Sequence, residues 1–452
     1  MSLGVNVPFI EAGLARPGAN KEDDVMITAE QNEYLCRTGP GTPMGNLFRR
    51  YWIPALMANE LPGPNCDPVR VSLLSERLIA FKDSDGKIGL MDEFCAHRGV
   101  SLWFGRNEEG GLRCPYHGWK YDTTGQCVEV PSEPPSSGFC QKIQLKSYPC
   151  VEFGGVIWTY MGPPEEKPEI PVFEWAQVAP EQRYLSKRWQ ECNYLQAMEG
   201  GIDSSHVSFL HSGDLHRDPL HRGTDGSKYA RSTSTTFDIH ESAAGLLIGA
   251  RRKAEPGFHY WRVTQWMMPF YTLIPPYKGN ALNGHAWVPM DDYNCMAWTM
   301  TFHPTRALSP QELEAMENGH GVHPTLIPGT FRPTANIDND YLMDREAQRQ
   351  KIHYSGIKGI AIQDSSLQES MGAIADRSRE NLVSTDNAII MARMRMRKAA
   401  KALEAGKGTP PGIEPATQLV RSASFILPED GAFKETALDA SVVRIGEPFV
   451  AV

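Results

Sequence analysis

Four side chains that commonly bind metals lie in two short pairs, about a quarter of the way along the sequence. Cys95 and His97 are separated by one residue, and Cys114 and His117 by two. Each pair can present both ligands from one tight loop, and two loops can enclose a metal centre from opposite sides. A structural zinc ion accepts two thiolates and two imidazoles, and so does a two-iron, two-sulfur cluster with mixed ligands. Zinc sites usually pair Cys with Cys and His with His, so one of each per loop favours the iron–sulfur cluster.

A second group of potential metal ligands follows about ninety residues later. Asp203 and His206 are three residues apart, which predicts that they share one face of a helix. His206 and His211 are five residues apart, about 140° around an ideal helix at roughly 100° per residue. Both histidines can therefore reach one metal ion only if the helix bulges or ends close by. Two further histidines continue the five-residue spacing and are interpreted as loop residues: His216 and His221.

The composition limits what kind of protein carries these groups. The chain has 452 residues, 41% hydrophobic and 22% charged, as in globular proteins of two or three domains. A net charge of −9 does not indicate a nucleic-acid partner, and we expect none. No apolar run reaches the roughly 18–20 residues of a membrane helix, so we expect no membrane either. Nine cysteines, an odd number, and no export signal indicate a cytoplasmic, reducing location.

The elements that would position the ligands differ along the chain. Residues 1–50 are interpreted as a polar arm and a short helix that packs with the larger domain. Residues 51–162 alternate short β-branched runs with glycine-containing turns, which is typical of a small antiparallel β domain. Residues 163–452 carry strand-like runs between 229 and 303, and helices are predicted at roughly 192–211, 362–382 and 385–405. We therefore predict an α+β protein, with an antiparallel β domain and a larger domain whose antiparallel sheet is flanked by helices.

The first ligand group resembles the signature of the Rieske non-haem iron aromatic-ring oxygenases, in their large (alpha) subunit. The matching residues are Cys95-Ala-His-Arg-Gly and Cys114-Pro-Tyr-His-Gly-Trp-Lys-Tyr-Asp. The resemblance implies that Cys95 and Cys114 hold one iron of a Rieske [2Fe–2S] cluster, while His97 and His117 hold the other. Neutral imidazoles in place of thiolates raise the reduction potential, so the cluster accepts an electron readily and passes it on. Three neighbours are expected to pack around it: Arg98, Tyr116 and Trp119.

The second ligand group resembles the mononuclear iron motif of the same family. The resemblance implies that His206 and His211 bind a ferrous ion and that Asp203 links the two metal centres in catalysis. A carboxylate should complete a face of two histidines and one carboxylate, which leaves positions open for O2. The segment Ile362–Gly372 resembles the family segment that carries this ligand, so Asp364 is assigned, with a helix N-cap as its alternative role. The other carboxylates considered are Glu369, the second choice, Asp376 and Glu380.

The two centres together imply reductive activation of O2 by the terminal oxygenase component of a multicomponent system. The sequence has neither a dinucleotide fingerprint nor a ferredoxin cysteine run, so a separate reductase that uses NADH or NADPH is implied. In the family, the cluster of one subunit serves the iron of its neighbour. We therefore expect a homotrimer or two stacked trimers, with Asp203 at the junction. The alternative of another class is a non-catalytic Rieske electron carrier, which would lack the second iron.

The resemblance is to the phthalate 4,5-dioxygenase-like subgroup in particular, through stretches such as Tyr260–Tyr271 and His285–Asp292. It implies an aromatic carboxylate substrate and cis-dihydroxylation of a phthalate-type diacid, with O-demethylation of a methoxylated aromatic acid as the alternative. The sequence leaves open which acid is used and which reaction occurs. Arginine suits the planar, bidentate binding of a carboxylate. The substrate-binding candidates are Ser204, Arg231, Arg251, Arg252 and Arg262, and the candidates for an aromatic slot are Trp266, Phe270 and Tyr271.

Overall fold

The computed structural model describes residues 27–452, and its chain divides into two compact units. One unit is Thr38–Pro168, and the other combines Glu169–Val452 with the segment that ends at Arg37. Residues 1–26 of the predicted arm lie outside the described part of the chain. Within residues 27–452, no helix is both long enough and apolar enough to cross a membrane.

The unit Thr38–Pro168 is built from three small antiparallel sheets, with strand orders β1-β10-β9, β2-β3-β4 and β5-β6-β7-β8. Its strands are β1 (Trp52–Met57), β2 (Val69–Leu73), β3 (Glu76–Lys82), β4 (Ile88–Asp92), β5 (Arg106–Glu108), β6 (Gly111–Arg113), β7 (Lys120–Tyr121), β8 (Cys127–Glu129), β9 (Cys150–Phe153) and β10 (Val156–Tyr160). The β4–β5 connection carries the first Cys–His pair, and the β6–β7 connection carries the second. The strands are short and joined by tight turns, as their alternation with glycine predicted.

Residues 38–50 belong to this β unit, whereas the sequence-based division grouped them with the N-terminal arm and helix and packed them with the larger domain. The buried side chain of Arg49 gives the physical reason. Its guanidinium donates to the carbonyl oxygen of Leu74 at 3.1 Å and to the carboxylate of Glu76 at 2.7 Å. These contacts tie the segment to the β2–β3 hairpin, and no composition signal marks such a contact in advance.

The larger unit is organised around an eight-stranded antiparallel sheet of order β11-β17-β16-β15-β14-β13-β12, with β18 paired to β14. Its strands are β11 (Arg183–Gln190), β12 (Thr236–Glu241), β13 (Gly245–Lys253), β14 (Phe258–Met267), β15 (Tyr271–Ile274), β16 (Leu282–Pro289), β17 (Cys295–Phe302) and β18 (Ala423–Pro428). The central strands are buried on both faces, because helices and the C-terminal segment cover the sheet. The predicted α+β class is confirmed.

The described helices number ten. They are α1 (Ala29–Cys36), α2 (Pro43–Phe48), α3 (Glu174–Gln177), α4 (Tyr194–Ile202), α5 (Asp225–Tyr229), α6 (Pro310–Glu317), α7 (Arg345–Arg349), α8 (Ile360–Glu369), α9 (Asn387–Glu404) and α10 (Phe433–Ala440). The helix predicted over 385–405 is α9. The helices predicted over 192–211 and 362–382 are both shorter in the structure. The first stops at Ile202 because the next residue, Asp203, adopts an extended backbone as the C-cap.

Helix α4 lies unusually close to its neighbours because of two consecutive glycines. A Cβ on Gly201 would stand 2.2 Å from the Trp287 ring of β16, and one on Gly200 would stand 2.1 Å from the Gln368 amide of α8. A buried ion-pair network also fixes the helix, since the carboxylate of Glu199 accepts hydrogen bonds from two buried arginines, Arg377 and Arg393. The end of α4 is therefore held against both β16 and α8, and the second ligand group begins there.

Candidate metal centres and active-site cavity

The four cluster-ligand candidates converge in the β unit. The Nδ1 atoms of His97 and His117 lie 3.1 Å apart, and both rings are exposed. The thiols of Cys95 and Cys114 are buried in the apolar core of the unit. Two imidazoles converging on the solvent side and two thiols on the inner side fit a cluster whose inner iron takes sulfur ligands and whose outer iron takes nitrogen ligands.

The two loops that carry these ligands close in the same way. Four residues after each cysteine stands a glycine in the left-handed region, Gly99 with φ 71° and Gly118 with φ 78°. The N–H of Gly99 donates to the carbonyl of Cys95 at 2.9 Å, and that of Gly118 donates to the carbonyl of Cys114 at 3.0 Å. A side chain at either position would strain this reversal. The repeated closure explains why both pairs need a glycine soon after the histidine.

The neighbours expected around the cluster lie there. Trp119 stacks on the ring of His97, with centroids 4.6 Å apart and planes 9° from parallel. Tyr116 packs against His117 at 4.0 Å, and the guanidinium of Arg98 lies 5.9 Å from the centroid of the Tyr116 ring. The exposed edge of the two imidazoles is therefore framed by aromatic and cationic side chains.

Tyr121 is a cluster neighbour that sequence reasoning missed. Its buried hydroxyl lies 3.2 Å from the Sγ of Cys95 and accepts a hydrogen bond from the N–H of Ala96 at 3.1 Å. Because the hydroxyl oxygen already accepts from Ala96, its proton is free to be donated to a ligand thiolate. The motif includes this tyrosine, but spacing alone does not reveal that its hydroxyl reaches the sulfur.

The second group forms a compact triad in the larger unit. The Nε2 atoms of His206 and His211 are 3.1 Å apart, and Oδ1 of Asp364 lies 3.5 Å from the first and 3.2 Å from the second. Ligands about 2.0–2.2 Å from a shared metal stand roughly 3 Å apart, so these atoms fit one divalent ion. Among residues 27–452, these three are the group of histidine, cysteine or acidic side chains whose ligand atoms all lie within 4.8 Å of one another. Two imidazoles and one carboxylate on one side match a non-haem Fe(II) site with open positions.

The path of the chain explains how His206 and His211, five residues apart, can face one metal ion. Asp203 and His206 do not share a helical face, and that prediction is wrong, because α4 ends before them. His206 opens a short 3-10 turn, His206–Ser208, and His211 follows in the next turn. An irregular path can aim both Nε2 atoms at one point, which a continuous helix would keep about 140° apart.

Of the four carboxylates considered as the third iron ligand, the structure places only Asp364 beside the two histidines. Asp364 is the fifth residue of α8, whose N-cap is Gly359, so the alternative role of Asp364 as an N-cap is wrong. Burial alone would raise the pKa of Asp364, but the neighbouring histidines and Arg188 lower it to about 2. Glu369 points elsewhere, since its carboxylate accepts from the Tyr341 hydroxyl and the Glu191 N–H. The remaining candidates have other partners: Asp376 caps a short turn and Glu380 pairs with Arg393.

Asp203 lies beside the triad rather than in it. One carboxylate oxygen is 3.4 Å from the Nδ1 of His206, and the other accepts from the N–H of Ser205 at 2.6 Å. A carboxylate on Nδ1 favours the tautomer that leaves Nε2 free for a metal. Burial would raise the pKa of Asp203, but these contacts with His206 and Ser205 lower it, so the group stays ionised.

A cavity opens from the triad into the larger unit. Its apolar wall is made of Val207, Leu215, Ile274, Trp287, Val322 and Ile360. Buried charged and polar side chains face the same space, among them Arg188, His221, Arg262 and His285. An apolar slot with a few convergent polar groups beside a metal-binding triad is what a small aromatic ligand requires.

The five substrate-binding candidates lie in different surroundings. Arg262 and Ser204 line the cavity. Arg252 is buried, but it donates to the carbonyl and hydroxyl of Ser204 and so supports the turn after Asp203. The other two lie away from the cavity, where Arg251 binds the Thr236 hydroxyl and Arg231 is exposed at a shallow surface pocket. The aromatic candidates are buried in the core and do not line the cavity: Trp266, Phe270 and Tyr271.

Several residues that line the cavity were not predicted from the sequence. Arg188 is fully buried on β11, and His221, interpreted only as a loop residue, is buried against the cavity. His285 and Trp287 come from alternate positions of β16. Burial and the nearby charge of Arg188 lower the pKa of His285 to about 3, so its ring is neutral. Along β16, Asn283, His285 and Trp287 alternate with small or aliphatic residues, and this was the one available signal, since side chains two residues apart share a strand face.

Comparison with known proteins agrees with this division of the chain. Residues 51–149 match the family described as Rieske [2Fe-2S] domain. Residues 159–442 match the family described as LigXa C-terminal domain like. Together these matches extend over both described units.

Curated relatives match over most of their length. The 3-chlorobenzoate-3,4-dioxygenase oxygenase subunit of Comamonas testosteroni is 38% identical over 89% of this chain and 96% of that protein. The phthalate 4,5-dioxygenase oxygenase subunit of Pseudomonas putida is 37% identical, over 84% of this chain and 88% of that protein. The 5,5'-dehydrodivanillate O-demethylase oxygenase subunit of a Sphingobium species is 30% identical, over 84% and 82%.

Solved structures share the fold. The crystal structure of dicamba monooxygenase bound to dicamba aligns with a TM-score of 0.55 at 19% identity, over 80% of this chain and 99% of that one. The chain therefore belongs to the Rieske non-haem iron oxygenases, as an oxygenase (alpha) subunit. It is an oxidoreductase, the terminal oxygenase of a multicomponent system, with a Rieske [2Fe–2S] cluster, a mononuclear iron and O2 as co-substrate.

Proposed function

We propose that this oxygenase cis-dihydroxylates a small aromatic dicarboxylate of the phthalate type, with electrons from a separate NAD(P)H-dependent reductase. In this proposal Cys95, His97, Cys114 and His117 hold the cluster. The mononuclear iron is held by the triad described above. When bound, that iron supplies activation of O2, and the residues of the cavity decide which ring carbon is presented to it.

The proposal that the substrate is an aromatic acid rests mainly on Arg262. Its guanidinium is buried in the wall of the cavity that contains the triad, and Nη1 donates to the hydroxyl of Tyr277 at 2.7 Å. In the described part of the chain no carboxylate forms an ion pair with it, and its Nε has no hydrogen-bond partner there. A buried cation without an anion is costly. An aromatic carboxylate would supply the missing charge in a bidentate geometry.

Arg188 supports a diacid rather than a monoacid. It lines the same cavity and is buried, and within residues 27–452 it donates only to the hydroxyls of Ser365 and Thr299, at 3.2 and 3.4 Å. Among carboxylates, Asp364 has the largest electrostatic effect on the Arg188 guanidinium, and Asp364 is already committed to the triad. A second substrate carboxylate would be compensated by this second guanidinium. The apolar wall, with Trp287 and Ile360, would hold the ring and exclude water.

The names of the relatives support an aromatic acid as substrate, and one of them also supports O-demethylation as the second candidate reaction. The names of two of them specify 3-chlorobenzoate and phthalate, both aromatic carboxylates. The name of the third specifies O-demethylation of 5,5'-dehydrodivanillate, which favours the second candidate function, O-demethylation of a methoxylated aromatic acid. Dihydroxylation and demethylation differ in which substrate atom is held over the metal, so the same cavity chemistry serves both.

The surface of the β unit supports a homotrimer, or two stacked trimers. The cluster histidines are exposed, and exposed aromatic rings lie in the same unit, each beneath an arginine: Phe94 under Arg77, Trp103 under Arg70 and Tyr116 under Arg98. Aromatic and arginine side chains are enriched at protein interfaces. We propose that a second copy of the chain covers this surface, and that Asp203 lies at the junction between the two copies. Sedimentation or native mass measurement should give a multiple of three chains, and a monomer at working concentration would contradict this.

Turnover of a substrate panel tests the proposed reaction. The purified protein, a reductase and NADH would be supplied with phthalate, its two positional isomers, benzoate, a methoxybenzoate and the dimethyl ester of phthalate. The proposal predicts a dihydrodiol from a diacid, weaker turnover of the monoacid and none of the ester. Formaldehyde from the methoxy acid alone would favour demethylation. Turnover of the neutral ester only would refute the acid assignment, and a cluster without further iron would favour an electron carrier.

A further inference from the structure

A chain of buried hydrogen bonds extends outward from the iron-ligand candidate His211. Its Nδ1 lies 2.8 Å from the side-chain oxygen of Gln363, the residue before Asp364. The amide nitrogen of Gln363 donates to Oδ2 of Asp214 at 2.6 Å and to the carbonyl of Ile357 at 2.8 Å. Gln363 has no exposed surface, and His211 and Asp214 are also buried.

The partners fix the orientation of the Gln363 amide. The carbonyl of Ile357 and the carboxylate of Asp214 can only accept hydrogen bonds, so the NH2 group must face them. The amide oxygen therefore faces His211, and an amide oxygen has no proton to donate. The proton of the hydrogen bond must belong to Nδ1 of His211. The lone pair then lies on Nε2, the atom 3.2 Å from Oδ1 of Asp364.

Asp214 is itself held in place. Both of its carboxylate oxygens accept from Nδ1 of His353, at 3.0 and 3.1 Å. The backbone between His211 and Asp214 is pressed against the chain before His353, since a Cβ on Gly213 would stand 2.3 Å from the carbonyl oxygen of Ile352. The far end of the hydrogen-bond chain therefore has little freedom to shift, and this rigidity extends through Gln363 to His211.

We infer that Gln363, anchored by Asp214, is the positioning residue that sets the tautomer and ring orientation of His211 for Fe(II). The two ligand histidines are thus supported differently, His206 by the partly exposed carboxylate of Asp203 and His211 by a neutral, fully buried amide. Removing such a support from a metal-bound histidine lowers metal affinity about 10–100-fold. This assignment concerns the iron site of the family and does not depend on which substrate is used.

The test uses the full-length holoprotein and the metal alone. Gln363→Met keeps the volume of the side chain but removes both its acceptor and its donor. Gln265→Met is the matched control, because Gln265 is an equally buried glutamine whose amide donates to Arg421 and Ser441, and it does not line the cavity. Fe(II) affinity would be measured by chelator competition, and Co(II) would report coordination geometry through its visible spectrum. Cluster absorbance and thermal unfolding would show that each variant is folded.

The expected result is a loss of Fe(II) affinity of tenfold or more in Gln363→Met, with an altered Co(II) spectrum, an intact cluster and an unaffected control. Wild-type Fe(II) affinity and an unchanged Co(II) spectrum would overturn the inference. If Gln363→Met does not fold, the Fe(II) affinity of Asp214→Asn tests the inference instead. That substitution keeps an oxygen for Gln363 but removes the charge, so a several-fold loss is expected, and no loss would overturn the inference. A wild-type protein that binds Fe(II) here but oxidises only neutral aromatics would refute the proposed substrate and leave this inference standing.

Discussion

His206, His211 and Asp364 illustrate what single residues in a sequence reveal. Their types and their resemblance to a known motif were enough to select them, and the structure brings the three together within 3.5 Å. The residues that support them were not predictable. Gln363 and Arg188 are common residue types with no distinctive spacing, and each reaches the site through folding of distant segments. Ligand identity is a local property of the sequence, whereas the partners of a ligand are a property of the fold.

Replacing Arg262 with glutamine should weaken the use of an aromatic diacid. Loss of a charge-assisted hydrogen bond costs about 2–3 kcal/mol, which corresponds to roughly 30–150-fold in kcat/KM, mostly through KM. Steady-state kinetics with phthalate and with benzoate would measure this. Arg251→Gln is the control, since Arg251 lies outside the cavity and binds Thr236. Equal kinetics for Arg262→Gln and wild type would exclude Arg262 as the carboxylate-binding residue.

Replacing Tyr121 with phenylalanine should lower the reduction potential of the cluster. A hydrogen bond to a ligand sulfur stabilises the more negative, reduced state. Its loss, at about 1 kcal/mol, corresponds to roughly 40 mV for one electron. Redox titration followed by visible absorption would measure the shift. Tyr148→Phe, which removes a buried hydroxyl bound to Glu76 in the same unit, should leave the potential unchanged. Equal potentials in all three proteins would mean that Tyr121 does not bond the sulfur in the assembled cluster.

At the scale of elements, strands and long helices were predicted better than the ends of helices. Helix α9 lies within the helix predicted over 385–405, and the strands β12 to β17 all lie within the stretch 229–303 that was predicted to carry strands. Helix α4 is shorter than predicted, because Asp203 takes an extended backbone as its C-cap and its carboxylate accepts from the N–H of Ser205, a local turn that the residue types alone did not mark. The site depends on that early end, since it allows His206 and His211 to face one point.

Replacing Gly201 with alanine tests the close approach of α4. In an exposed helix this change would stabilise the protein by about 1 kcal/mol, because alanine has the higher helix propensity. Here the new methyl group would stand 2.2 Å from the Trp287 ring, so we expect destabilisation of about 1–3 kcal/mol instead. Iron content at the mononuclear site should fall while cluster absorbance persists. Gly63→Ala is the control, since a Cβ there meets no atom within 4 Å. Unchanged stability and iron content in Gly201→Ala would contradict the packing argument.

At the scale of the whole molecule, the sequence predicted two kinds of unit, and family matches cover both. Residues 38–50 show where such prediction stops, because their membership in the β unit depends on hydrogen bonds from Arg49 to residues of the β2–β3 hairpin. Assembly is a further step beyond a single chain. The exposed cluster histidines and the partly exposed Asp203 are the features through which we expect one copy to meet the next.

Replacing Asp203 with asparagine should leave both metal centres bound when Fe(II) is supplied in excess, but block electron transfer between them. The neutral amide is nearly the same size but lacks the charge that holds the His206 proton and that would accept hydrogen bonds across the proposed junction. Rapid mixing of the reduced protein with O2 and substrate would follow cluster reoxidation. Asp225→Asn, at an exposed position in the same unit, should behave as wild type. Normal reoxidation in Asp203→Asn, with both metals confirmed by analysis, would show that this residue is not the bridge.

A single-turnover experiment would show whether this chain itself oxygenates an aromatic diacid. The fully reduced protein, without any reductase, would be mixed with phthalate and isotopically labelled O2, and the product examined by mass spectrometry. We expect one dihydrodiol for each active site, with both oxygen atoms of the label in its two new hydroxyl groups. Reoxidation of the cluster with no oxygenated product from any aromatic acid would contradict it.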